Sequence, residues 1–84
     1  MLKIGDRFIH RNSKKWFDGT REATQVDVNL CVVTDIGKGF TNYDVLERLD
    51  CLDKAPFDRG PSEGGGLATR FIRRLVEQGT IILR

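Results

Sequence analysis

Few residues in this chain are equipped for bond-making chemistry. Histidine is the side chain that changes charge near neutrality, and the sequence has one, His10, with no partner motif beside it. The two cysteines, Cys31 and Cys51, lack metal-ligand spacing, and no GxSxG, HExxH, Walker-type loop or paired CxxC occurs. His10 therefore reads as a structural or surface residue and the cysteines as reduced, small apolar side chains. The expectation is a non-enzymatic protein with no catalytic residue, no metal site and no cofactor. Asp44, Glu47, Asp50 and Asp53, with Asp58 beyond them, match no EF-hand or other dense ligand pattern. They read as a solvated acidic edge, or as a docking surface for a basic partner. Gly64-Gly65-Gly66 ahead of an amphipathic segment would offer free amides to an anion. A phosphate loop, however, follows a strand and carries a placed Lys or Ser, so a flexible linker is expected there.

Binding chemistry is better represented. The stretch from Arg11 to Arg21 interleaves the cations Arg11, Lys14, Lys15 and Arg21 with Trp16 and Phe17. Such a mixture neutralises phosphates and stacks bases on aromatic faces. The competing role for Trp16 or Phe17 is to fold back as a plug of a small core. A second cluster, Arg70, Arg73 and Arg74, covers roughly a third of a helix circumference at 100° per residue. Glu77 dilutes that stripe by pairing at helical spacing. The net charge of +2 is too small for a uniformly basic nucleic-acid binder, so local clustering must supply any affinity.

These side chains need elements to hold them. A short strand is expected from Lys3 to His10, followed by a long hairpin loop or flared tip over Arg11–Thr20, where Asp18-Gly19 suits a tight turn. From Thr24 to Ile36, Val26, Val28, Leu30, Val32 and Ile36 fall on even positions, the period of a half-buried strand. Its length predicts a bend or a bulge. Gly37-Lys38-Gly39 reverses the chain, and Phe40–Leu46 should pair back. Thr41–Asp53 is ambiguous, because Val45, Leu46, Leu49 and Leu52 also fit a helical stripe. Lys54–Gly66, with both prolines and four of the nine glycines, is a loop. Leu67–Gln78 predicts an amphipathic helix that buries Leu67, Phe71, Ile72, Leu75 and Val76, with Gly79 as its cap and Ile81–Leu83 as a strand.

With 84 residues there is room for one hydrophobic core, hence a single domain over 1–84. No apolar run approaches the roughly 20 residues of a membrane span, and Leu2-Lys3-Ile4-Gly5-Asp6 lacks the apolar segment of a signal peptide. The expectation is a cytoplasmic protein without a membrane partner, monomeric or a small homo-oligomer. Lys3-Ile4-Gly5-Asp6-Arg7-Phe8, Cys31-Val32-Val33-Thr34-Asp35-Ile36-Gly37 and Phe71-Ile72-Arg73-Arg74-Leu75 closing into a strand together resemble small SH3-like barrel proteins of phages and mobile elements. That resemblance implies an accessory binding module acting on nucleic acid or host proteins, including inhibitors of host defence complexes. The rival resemblance is to winged-helix DNA-binding domains, with Leu67–Gln78 as recognition helix and Thr80–Arg84 as a wing strand. The expected fold is α+β: a small, strongly curved antiparallel sheet or SH3-like β-barrel with one C-terminal helix and a short strand. The expected function is a binding module for nucleic acid or a nucleoprotein through Arg11, Lys14, Lys15, Trp16, Arg21, Arg70, Arg73 and Arg74. The alternative is a protein-interaction inhibitor or adaptor that presents Asp44, Glu47, Asp50 and Asp53.

Overall fold

A computed structural model describes residues 2–84 and shows five antiparallel strands and one short helix. In chain order these are β1 (Arg7–Phe17), β2 (Glu22–Ile36), β3 (Phe40–Leu52), β4 (Gly64–Ala68), a 3-10 turn (Thr69–Phe71), α1 (Ile72–Glu77) and β5 (Ile81–Leu83). The strand order across the sheet is β4-β3-β2-β1-β5. No ladder joins β4 to β5, so the sheet stays open and the barrel geometry is not adopted. The chain instead crosses from one edge to the other through α1, which covers the inner face. A sheet of this kind with a six-residue helix is also not a winged helix.

Two segments differ from expectation, and the ambiguity of a third is resolved. Arg11–Phe17 is the second half of β1 rather than a loop, paired residue for residue with Glu22–Val28. The turn is confined to Asp18–Arg21, where Asp18 Oδ1 accepts the Thr20 and Arg21 amides, each at 2.9 Å, and the Thr20 hydroxyl at 2.7 Å. Those bonds hold the Asp18 carboxyl down at about 2, the Thr20 hydroxyl contributing most. Beyond His10, β5 no longer covers β1, and a lysine-bearing edge is the usual guard against strand addition. The ambiguity over Thr41–Asp53 resolves as strand: the expected pairing of Phe40–Leu46 forms, and β3 runs on past it to Leu52. Gly64–Gly66 is no linker but edge strand β4, its glycines lying against Asn42, Tyr43 and Asp44. Side chains would not fit there: a Cβ on Gly64 would meet the Tyr43 carbonyl, and one on Gly65 would stand 3.0 Å from the Tyr43 hydroxyl.

The helix is consequently shorter than Leu67–Gln78, and its burial is shared differently. Ile72 is buried, Leu67, Leu75 and Val76 are half-buried against the core, and Phe71 is 41% exposed with Arg70 and Arg74 over its ring. Gly79, at φ 78°, ends the helix as expected.

The strand β2 presents its odd residues inward. Cys31 and Val33 join Phe8, Ile72 and Ile81 in an apolar cluster under the helix. Gln25, Asp27 and Asn29 continue the same face toward the hairpin tip and are also buried. The even, apolar face of Val26, Val28, Leu30 and Val32, expected to be the core side, is only half-buried and carries no covering element. The inner face wins because α1 and the Ala55–Gly60 loop both lie on it, and because Gln25, Asp27, Arg48 and Asp58 bond to one another there.

Candidate binding surfaces at the hairpin tip and on the open sheet face

At the tip end of the inner face, Arg48 from β3 donates to both carboxylate oxygens of Asp58, at 3.0 and 3.3 Å, and lies 3.5 Å from Asp27. The Gln25 amide donates to Asp27 at 2.9 Å and to Asp58 at 3.1 Å, while its carbonyl accepts the Ala55 amide at 2.9 Å. The Gly60 amide closes the set on Asp58 at 3.1 Å. The fork of Arg48 and then the Gln25 amide hold the Asp58 carboxyl far below the usual carboxylate range, and Asp58 in turn raises Arg48. Cys51 donates to Asp27 at 3.2 Å, and burial followed by that contact raises its thiol. This network pins the Ala55–Gly60 loop across β2 and β3.

The pinned loop makes one wall of a pocket of about 340 Å³ whose lining includes Lys14, Lys15, Trp16, Phe57, Asp58 and Arg59. Trp16 is 7% exposed, donates from Nε1 to the Asp53 carbonyl at 2.9 Å and meets Phe57 edge-on at 6.4 Å between centroids. Arg21 sits 5.3 Å over its ring. Trp16 is thus the plug of the tip, and the exposed aromatic faces are Phe57 and Phe17. The acid in the lining, Asp58, is engaged by Arg48, so the accessible charge at this mouth comes from Lys14, Lys15 and Arg59. Lys15 has an exposed partner in Glu22 at 3.8 Å, a pair of little consequence in water.

Structure thus divides the cations grouped by sequence. Lys14, Lys15 and Arg21 gather at the tip, with Phe57 and Arg59 added from the loop. Arg11 lies on the opposite, outer face, across from Val28. Arg70, Arg73 and Arg74 are at the other end of the 43 Å long axis, where Arg70 lines a recess with Gly39 and Phe40, and Arg73 pairs with Glu77 at 3.7 Å. The acids divide too. Asp44, Glu47 and Asp50 stand together on the outer face of β3, opposite Val32, Leu30 and Val28. Asp53 falls outside that row, in the left-handed region at φ 50°, where its carbonyl serves Trp16.

His10 and Cys31 are interior groups. His10 contacts the Tyr43 ring edge-on, and burial lowers its pKa; burial pushes the Cys31 thiol up to about 11. Among the described residues no group of three or more His, Cys, Asp or Glu is placed to hold a metal ion, and no helix is long and apolar enough to cross a membrane. Sequence reasoning does not single out Phe57, Arg59, Gln25, Asp27 or Arg48, and it names Asp58 only as the end of an acidic edge. The available signal was the polar odd face of β2, which only makes sense against a polar partner segment. No protein-family model matches the chain, and no curated protein or solved structure matches it either.

Proposed function

We propose that the protein is a non-enzymatic binding module that holds a nucleic-acid strand, alone or within a nucleoprotein, at the β1–β2 tip. The observation that carries this reading is that Lys14, Lys15 and Arg59 line a pocket beside the exposed ring of Phe57, with Arg21 nearby over the Trp16 ring. Cations neutralise phosphates and release counterions, while an exposed aromatic face accepts a base of any sequence. Single strands suit such a site better than duplexes, whose bases are already stacked. Anisotropy titrations of labelled single- and double-stranded oligonucleotides at several salt concentrations test it. Binding should weaken steeply with salt, Phe57→Ala should cost about 1–3 kcal/mol, and Lys14→Ala should lower the salt slope by about 1. Arg73→Ala should change neither. Absence of binding at low salt would refute the reading, because phosphate contacts are strongest there.

A second reading, a protein-interaction module using an acidic surface, is favoured by one observation. Asp44, Glu47 and Asp50 share an open face bordering a half-buried apolar stripe.

A further inference from the structure

The outer face of the sheet has an ordered charge pattern. Paired residues across β1, β2 and β3 form rows: Arg7–Val32–Asp44, then Ile9–Leu30–Glu47, then Arg11–Val28–Asp50. Each row has its apolar residue in the middle, its acid on the β3 side, and, in two of the three, an arginine on the β1 side. Within one chain the opposite charges of a row are held apart by the whole width of β2. Among the described residues none of Arg7, Arg11, Asp44, Glu47 or Asp50 takes part in an ion pair.

We propose that this face is the contact between two copies of the chain, related by a two-fold axis running along β2. Such a rotation turns one sheet over onto the other and exchanges its left and right sides while leaving position along the strand unchanged. Every row then meets its own image. The stripe of Val28, Leu30 and Val32 packs on itself, Arg7 lies over the partner copy's acid at position 44, and Arg11 over the acid at position 50. Glu47 falls between the two arginines. Two sheets about 10 Å apart with strands aligned to within about 30° are the ordinary geometry of a sandwich, and long arginine side chains reach across that gap. A two-fold axis running across the strands would instead lay β1 on β1 and β3 on β3, setting like charges against each other. The charge layout therefore selects one orientation, and it is an isologous one. This inference does not depend on the nucleic-acid reading, and it names the basic partner of the acidic face as the chain's own β1.

The test is a charge exchange read by sedimentation equilibrium. One variant carries Arg7→Glu and Arg11→Glu, the other Asp44→Arg and Asp50→Arg; none of the four side chains is buried, and circular dichroism verifies the fold of each. Wild type should sediment at twice the 9.5 kDa chain mass, and each variant alone at the chain mass. An equimolar mixture of the two variants should return to twice the chain mass, since every opposed pair in the mixed dimer is again of opposite sign. If a variant does not fold, the single changes Arg11→Glu and Asp50→Arg replace the pairs. A wild-type chain that remains monomeric up to roughly 0.5 mM, far above the micromolar range of weak specific pairs, overturns the proposal. So does a mixture that stays at the chain mass. Oligonucleotide binding at the tip, measured on the same variants, reports separately on the nucleic-acid reading.

Discussion

Arg48 shows how much of the tip depends on one side chain. It is the cation between Asp27 and Asp58, and removing it strands two carboxylates in an interior position. Arg48→Met should cost on the order of 3 kcal/mol in urea unfolding, with Trp16, the only tryptophan, reporting on the tip directly. The same network sets an acid dependence. Asp58 is held below its unfolded value of about 4, so its ionised form stabilises the fold above that pH, and the contribution disappears as pH falls through the native value. Stability should therefore fall from about pH 4 downward, with a shallower slope in Asp58→Asn. At this scale sequence reading placed Lys14, Lys15 and Arg21 in one neighbourhood, because they are close along the chain. It could not bring in Phe57 and Arg59, whose position follows from hydrogen bonds made by Gln25 and Arg48 across strands.

Strand β3 explains why its own sequence was ambiguous. Register shifts opposite Val28/Asn29 and Leu30/Cys31 leave Leu49 and Leu46 as extra residues in β3. Each such bulge stretches the alternation from two residues to three. Inward positions thus run Tyr43, Val45, Arg48, Cys51, and outward ones Asp44, Glu47, Asp50, Leu52. Spacings of three are what a helix also produces, so periodicity alone could not separate the two. The bulges also align the three acids. In the helix, by contrast, apolar spacing correctly gave Ile72, Leu75 and Val76 but assigned Phe71 to the core, where it does not lie. Ile72→Ala should cost about 2–4 kcal/mol, whereas Phe71→Ala, losing mainly contacts with Arg70 and Arg74, should cost under about 1. Thermal melts of the two variants side by side decide it. Glycine in β4 marks close approach to β3, not the free linker that the sequence suggests. Gly64→Ala should destabilise by about 1–3 kcal/mol and loosen the amides of β4, seen by hydrogen exchange.

As a whole the molecule is a meander of three long strands whose edges are finished by β4 and β5. The antiparallel sheet and its carboxy-terminal helix and strand were legible, since strand alternation in β2, the Gly37–Gly39 reversal and the Gly79 cap are local signals. Whether the sheet closes is not local: it depends on how two short edge strands lie with α1 between them. That arrangement bears on the order in which the fold assembles. The β1–β2 and β2–β3 pairs can zip from tight turns at Asp18–Arg21 and Gly37–Phe40, each a short loop closure. β5 pairs with β1, joining Phe8 to Leu83, almost the full length of the chain apart. Its docking should therefore be a late event, after the rate-limiting barrier. Ile81→Val, which trims a buried side chain of β5 at a cost of about 1 kcal/mol, should speed unfolding roughly fivefold and leave the refolding rate nearly unchanged in stopped-flow chevrons. The lifetime of the native state, rather than the speed of reaching it, rests on the last strand.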